Sequence, residues 1–129
     1  MENETGFLQR WFKSQCDGDW EHQYGVVIDT LDNPGWSVRI DLLGTDLEDI
    51  EIERVVRDLW DDEKWIDLHI RNHQFQVATG PELLVEALQI FAEIANEPAQ
   101  LRSIISKHQL APVTDHGDDV PQELDRGRS

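Results

Sequence analysis

The sequence predicts an α+β domain, in which an N-terminal helix and one or two C-terminal helices pack on one face of a five-stranded antiparallel meander sheet. Apolar residues recur at helical spacing near both ends of the chain, and five short segments between residues 24 and 79 alternate apolar with polar residues. The connections between these segments are too short for parallel crossovers. A length of 129 residues suits one domain. We expect that domain at residues 1–110 and an acidic, disordered tail at 111–129.

Helical patterns mark both ends of the domain. The first helix is predicted from Thr5 to about Cys16, where four apolar residues form one stripe. A second helix is predicted to open with Pro81 in its first position, where proline is favourable. A third, weaker stripe covers residues 98–109. These helices supply the apolar cover that one face of the sheet requires.

The strands are predicted from alternation along the chain. The first two, at residues 24–31 and 36–43, flank Pro34-Gly35, which suits the centre of a type II turn. The core face of the second strand should carry Trp36, Val38, Ile40 and Leu42. The other three strands are marked by apolar alternation at Ile50, Ile52, Ile66, Leu68, Ile70, Phe75 and Val77.

The charge of the chain is strongly negative, because 27 acidic side chains outnumber 11 basic ones and leave a net charge of −16. Binding to nucleic acid or to an anionic membrane depends on Lys and Arg, so neither is expected. A basic protein is the partner that this field would attract and steer. The acidic residues are concentrated in residues 46–67, which hold ten acids and three bases.

The chain also shows the pattern of a soluble cytoplasmic protein. Its first residues are acidic and precede no long apolar run, so we expect neither a secretory signal nor a membrane span. Cys16 is the only cysteine, which excludes an intrachain disulfide and favours a reducing compartment.

Reactive residue types are densest between Cys16 and His22. A catalytic pair would need a Cys16 thiolate with His22 as its base, but six residues across a turn do not ensure contact, and the neighbouring carboxylates disfavour a thiolate. Packing of Cys16 as a small apolar side chain is the favoured interpretation. The five histidines show no metal-ligand spacing, and no phosphate loop or nucleophile elbow is present. We therefore expect no catalytic residue, metal or cofactor.

Five tryptophans fall into two groups. Trp11 and Trp36 lie on predicted core faces. Trp20 and Trp60 lie in acidic connections, and Trp65 lies on the outward phase of its strand. A large aromatic at such a position is either a lid over the core or an anchor for a partner.

The outward phase of the sheet mixes carboxylates with apolar residues such as Val27 and Leu31. If the helices cover the other face, this one is open, and its composition suits an interface with a basic protein. Cover by the third helix and pairing with a second copy are the alternatives. The candidate partner-binding residues are Asp19, Trp20, Glu21, Asp41, Glu51, Glu53, Trp60, Asp61, Asp62, Trp65 and Asp67.

Two dense motifs, at residues 16–22 and 31–36, lie close together in the first half of the chain. They read Cys16-Asp17-Gly18-Asp19-Trp20-Glu21-His22 and Leu31-Asp32-Asn33-Pro34-Gly35-Trp36, and Trp11, Tyr24-Gly25 and Ile40-Asp41-Leu42 accompany them. Together they resemble the immunity protein 53 family of bacterial polymorphic toxin systems. The likeness runs from Phe7 to Leu47, weakens through residues 48–80 and resumes in character at the second helix, whereas residues 98–129 lie outside it.

The resemblance implies a small cytoplasmic protein that binds and neutralises a cognate toxin. Many toxins of such systems are nucleases with basic clefts, and an acidic inhibitor suits such a cleft. The leading hypothesis is therefore inhibition by tight, non-catalytic binding. The alternatives are a small enzyme that uses Cys16 and His22, and a self-associating structural subunit.

Overall fold

A computed structural model describes residues 2–113, in which helices pack on one face of an antiparallel sheet. The α+β class, the N-terminal helix and the C-terminal helices are thereby confirmed. The helices are α1 (Glu4–Gln15), α2 (Trp20–Gln23), α3 (Leu84–Asn96) and α4 (Leu101–Lys107), with a 3₁₀ turn at Pro98–Gln100. The strands are β1 (Val26–Leu31), β2 (Gly35–Asp41), β3 (Ile52–Arg57), β4 (Ile66–Arg71), β5 (Gln74–Thr79) and β6 (Ala111–Pro112).

The strand order of the described sheet is β1-β2-β5-β4-β3-β6. Among the five longer strands, neighbours in the sheet are consecutive in the chain except at one point, where β2 pairs with β5 instead of β3. The connection at residues 42–51 carries the chain past two strands, about 14 Å at the usual strand spacing. Leu42 and Leu47 are buried in this connection, so it packs across one end of the sheet.

A sixth strand lies beyond the five that the sequence predicts. Ala111 and Pro112 pair with Val56 and Val55 of β3. They belong to the predicted tail at 111–129, but residues 114–129 lie outside the described part of the chain, so the disorder expected there stays a prediction.

The hairpin between β1 and β2 is confirmed, but its turn differs from the expected type II turn. Gly35 is the first residue of β2 and pairs with Leu31, and the Asn33–Pro34 peptide bond is cis. Gly35 fits here because a Cβ at this position would collide with the backbone oxygen of Thr79 in β5. The glycine is therefore required by close strand packing, not by the turn.

The start of α3 is also displaced from the prediction, from Pro81 to Leu84. Residues 80–83 form a turn whose backbone is held by the β3–β4 connection. Gly80 N donates to Trp65 O at 2.9 Å, and Glu82 N donates to Glu63 O at 3.4 Å. Because these N–H groups bind the neighbouring loop, the helix starts three residues later.

The core face of β2 largely follows the predicted alternation. Val38, Ile40 and Leu42 are buried, whereas Trp36 is only half-buried. The indole N–H of Trp36 donates to Pro81 O at 3.1 Å, which ties the start of β2 to the turn before α3.

An aromatic cluster joins both long helices to the sheet. Phe91 of α3 lies with its ring centroid 5.2 Å from Phe75 of β5, 5.0 Å from Trp11 of α1 and 6.4 Å from Phe7. All four side chains are buried. Edge-to-face contacts of this kind add to the stabilisation that burial of each ring supplies.

We expect Phe91→Ala to lower the free energy of unfolding by about 3–5 kcal/mol, because a cavity opens where three other rings meet. The measurement is urea denaturation. Val85→Ala on the same helix is the control, since Val85 is exposed and its truncation should change stability by no more than about 0.5 kcal/mol. Equal effects of the two variants would contradict the central place of Phe91.

A polar cluster fixes α4 to the rest of the domain. Arg57 of β3 donates twice to Glu86 of α3, at 2.8 and 2.7 Å, and once to His108 O at 2.6 Å. The His108 ring lies 2.9 Å from Glu86 and 2.8 Å from Glu93 through its two nitrogens. Hydrogen bonds from Arg57, followed by those from His108, lower the pKa of Glu86 against the opposing effect of desolvation.

This cluster makes stability depend on pH at the acid end. The pKa of Glu86 is lower in the folded state than its ordinary value of 4.5, so its contribution is complete above that value and is lost as the pH falls through the folded pKa. We expect Glu86→Gln to cost about 1–2 kcal/mol at pH 7 and much less near pH 3, measured by denaturation across this range. Glu82→Gln is the control, because this exposed carboxylate makes no hydrogen bond with a described residue. A cost for Glu86→Gln that did not change with pH would refute this account.

Candidate functional site

Eight of the ten acidic residues in residues 46–67 are separated by the fold into two groups, one in each connection that flanks β3. Residues 42–51 precede β3 and residues 58–65 follow it, so the two connections lie at opposite ends of the sheet. A six-residue strand places these ends about 20 Å apart. The negative charge of residues 46–67 therefore does not form one continuous patch.

Trp20 connects α2 to the first acidic end. Its indole N–H donates to Leu43 O at 2.8 Å, and its ring packs edge-on against Trp11 with centroids 6.1 Å apart. Only 7% of Trp20 is exposed. Of the two interpretations offered by the sequence, the lid over the core applies here, so Trp20 is not an exposed anchor.

The acids around α2 shape the turn that precedes it. Glu21 accepts hydrogen bonds from the N–H groups of Asp17 and Gly18, at 3.0 and 2.9 Å. Asp17 accepts from Asp19 N and Trp20 N at 2.9 and 3.0 Å, and these bonds lower the pKa of its carboxyl group. Glu21 thus has a structural role, whereas the Asp19 carboxylate makes no hydrogen bond with a described residue.

Cys16 has the environment of an unreactive thiol. Its Sγ donates to Phe12 O at 3.3 Å. Desolvation and the carboxylates of Glu21 and Asp17 raise its pKa above 9.0. No hydrogen bond joins Cys16 to His22 in the described structure. Within residues 2–113, no group of three or more His, Cys, Asp or Glu side chains is placed to hold a metal ion.

The second acidic end carries the most exposed tryptophan among the described residues. We call residues 58–65 the Trp60 loop. Trp60 is 80% exposed, and its neighbour Leu59 is 47% exposed. The loop also carries the carboxylates of Asp58, Asp61, Asp62 and Glu63. It therefore presents a large apolar side chain in an acidic loop.

The Trp60 loop is a turn that is stabilised by its own hydrogen bonds and by contact with the turn before α3. Asp61 N donates to Asp58 O at 2.9 Å, and the Asp61 carboxylate accepts from Glu63 N and Lys64 N at 2.9 and 3.1 Å. A Cβ on Gly80 would collide with the backbone of Glu63, so the loop rests directly on the turn before α3. Asp61 is consequently part of the support of the loop.

Trp65 lies at the base of this loop on the open face of the sheet. Its indole Cζ2 is 3.4 Å from the position that a side chain on Gly35 would occupy. Trp65 is half-buried, because its ring covers part of the glycine backbone. Leu31 is paired with Gly35 and shares this corner of the open face.

The open face is more basic than the sequence interpretation assumed. Its side chains are exposed or half-buried, which shows that α4 does not cover it. Between the acids it carries Arg39, Arg54 and Arg71, and Arg71 and Arg54 add to desolvation in lowering the pKa of His69. The expected mixture of carboxylates and apolar residues was therefore incomplete. The outward phase of β2 and β4 already contained the signal, since Arg39 and Arg71 occupy it.

Two candidate carboxylates on this face are engaged within the protein. Asp67 forms a two-pronged ion pair with Arg54, with distances of 3.0 and 2.7 Å. Asp41 accepts from Gly25 N at 2.9 Å and from the Gln74 side chain at 2.8 Å. Asp41 thus links β2 to β5 and to the residue before β1. Asp67 links β4 to β3, and Arg54 compensates its charge.

The three remaining candidate carboxylates lie before, within and after β3, so they are spread along the length of this strand. Glu51 lies at the first acidic end, Glu53 is exposed on β3 and Asp62 is exposed in the Trp60 loop. None of these three carboxylates forms a hydrogen bond or an ion pair with a described residue. The fold thus brings together Trp60, Asp61, Asp62 and Trp65 but places Asp19, Glu21 and Glu51 at the far end.

Comparison with known families decides which kind of protein carries these surfaces. The family profile described as immunity protein 53 matches residues 5–96. The chain belongs to the immunity protein 53 family. The match runs through residues 48–80, where the motifs alone gave a weaker likeness, and includes the Trp60 loop. No curated protein and no solved structure matches the chain.

Membership of this family gives the chain an immunity function and implies a cognate toxin as its partner. The match covers every element from α1 to α3 and ends before the 3₁₀ turn and α4. No helix among the described residues of this immunity protein is long and apolar enough to cross a membrane.

The environment of Cys16 predicts slow thiol chemistry. Because its pKa is raised, we expect the thiol to react with a disulfide reagent at pH 7 several-fold more slowly than in the urea-unfolded chain. The measurement is the rate of colour release with excess reagent, and the unfolded chain serves as the control. A folded chain that reacted faster than the unfolded one would restore the catalytic alternative.

Proposed function

We propose that this immunity protein neutralises a basic toxin domain by non-catalytic binding in the cytoplasm and that the Trp60 loop is the centre of the contact. The observation that supports this proposal is the 80% exposure of Trp60 in a loop that also carries four carboxylates. Tryptophan is among the residues that most often dominate binding energy at protein interfaces.

The order of the loop favours binding. Its turn is closed by the hydrogen bonds of Asp61, and its base lies on Gly80. A segment that is already fixed loses less conformational freedom when it binds. Trp60 and Leu59 can therefore be buried by a partner at a smaller entropic cost than on a flexible segment.

The carboxylates have two different roles in this proposal. Asp62 lies beside Trp60, where it can pair with a Lys or Arg of the toxin at the rim of the contact. Asp19, Glu51 and Glu53 lie farther along the molecule and act through the field of a chain with a net charge of −16. Such a field raises the rate of encounter with a basic partner more than it raises affinity.

A nuclease domain fits this description of the partner. A protein that binds phosphates must display Lys and Arg in its cleft, and such a cleft is complementary to clustered carboxylates. Trp60 supplies the apolar contact that charge alone does not give. The proposed complex therefore combines electrostatic attraction with one aromatic anchor.

We expect Trp60→Ala to weaken binding at least 30-fold, mainly through faster dissociation, because truncation at a contact centre costs about 2 kcal/mol or more. The measurement is surface kinetics with an inactivated form of the cognate toxin domain. Val113→Ala is the matched control, since Val113 is also an exposed apolar side chain, and the pairing of β6 with β3 places it toward the start of β3, away from the loop that follows this strand. Similar affinity of the Trp60→Ala variant and the original chain would overturn the placing of the contact.

The same binding kinetics test whether negative charge speeds the encounter with the toxin domain. The association rate should fall steeply as added salt shortens the Debye length from about 10 to about 3 Å. Asp62→Asn should lower the association rate without a matching change in the dissociation rate. If the original chain did not bind the toxin domain at all, the proposed function itself would fail.

A further inference from the structure

The first strand of the sheet has a partner on one side only. β1 lies at the end of the strand order and pairs with β2. No other described residue pairs with it. The opposite end of the sheet is partly covered by the two-residue strand β6, so β1 presents the longer open edge.

The register shows which backbone groups face this edge. Asp41 N donates to Gly25 O at 3.0 Å, and antiparallel ladders bond every second pair. The pairs Val27–Arg39 and Asp29–Ser37 therefore form the ladder with β2. It follows that the N–H and C=O groups of residues 26, 28 and 30 point toward the open edge.

The edge carries few of the features that usually block strand addition, since the exposed Asp29 is the one charged residue in β1. Its register with β2 is continuous over six pairs, without a bulge, and residues 26–31 contain neither proline nor lysine. Val27 is 37% exposed and Ile28 is 40% exposed. Because these two side chains lie on opposite faces, the strand offers apolar contact on both sides of an added strand.

The charge of the molecule indicates what kind of strand fits. A second copy would bring another net charge of −16 to the same edge, where Asp29 is exposed. Repulsion between the copies opposes such pairing, whereas a cationic segment is attracted. Backbone hydrogen bonds would then supply affinity, and a Lys or Arg beside Asp29 would supply selectivity.

We propose that β1 is a docking edge for an extended, cationic segment of the toxin, which joins the sheet as an additional strand. This inference rests on the proposed function and adds a second point of attachment to it. Trp65, at the base of the Trp60 loop, reaches Gly35 beside Leu31 at the end of β1. Ile28 lies in the middle of β1, three strands away from β4, so Trp60 and Ile28 can be changed separately.

The first test is amide exchange of the full chain, alone and with the inactivated cognate toxin domain. In the free protein the N–H groups of Val26, Ile28 and Thr30 should exchange quickly, whereas those of Val27 and Asp29 should already be protected. Addition of the toxin domain should protect the first three. If they were protected in the free chain, the edge would already be occupied and the proposal would be overturned; sedimentation would then distinguish a second copy from the chain's own residues.

The second test is Ile28→Pro, which removes one N–H from the open edge and leaves the ladder with β2 intact. We expect at least a tenfold loss of affinity for the toxin domain. Ile28→Thr keeps the N–H, so its loss should stay within threefold. Equal losses for the two variants would show that the side chain matters instead of the backbone, which would overturn strand addition.

The outcomes separate this proposal from the one on which it rests. If the toxin domain bound and Trp60→Ala weakened it while exchange at residues 26, 28 and 30 did not change, strand addition alone would be wrong. If the original chain did not bind the domain, both proposals would be wrong. The exchange pattern remains decisive even if Ile28→Pro fails to fold.

Discussion

The contact of Phe91 with the sheet determines how the rest of the molecule is arranged. Phe91 touches Phe75 of β5 and the α1 rings Phe7 and Trp11, so one residue joins both long helices to a central strand. Covering one face in this way leaves the other face and the β1 edge free. The surfaces available to a toxin are therefore those that the aromatic core does not use.

The acidic residues do not all serve one purpose. Glu21 and Asp41 hold backbone N–H groups, and Asp67 binds Arg54, so these carboxylates are parts of the scaffold. Asp62 has no such partner among the described residues and lies beside the exposed Trp60. In a chain this acidic, the difference between structural and available carboxylates is set by which backbone and basic groups the fold brings near them.

Local sequence pattern predicted the burial of some residues correctly but not of others. Alternation correctly placed Val38 and Ile40 in the core, because the two faces of a strand differ whatever its neighbours are. It could not distinguish Trp20 from Trp60, since both stand in acidic connections. Trp20 is buried because it contacts Leu43 and Trp11, which lie elsewhere in the chain. Among residues 2–113, no distant element does the same for Trp60.

The sequence by itself determined the α+β class, the two long helices and α4, the five main strands, the hairpin and the strong negative charge, because these depend on residue spacing and composition. Its motifs also carried the likeness to the family that the wider comparison shows. The tertiary structure decided that β2 pairs with β5, that the acids lie at two ends, and that β1 has an open edge. These features depend on contacts between residues far apart in the chain, which spacing along the chain does not encode.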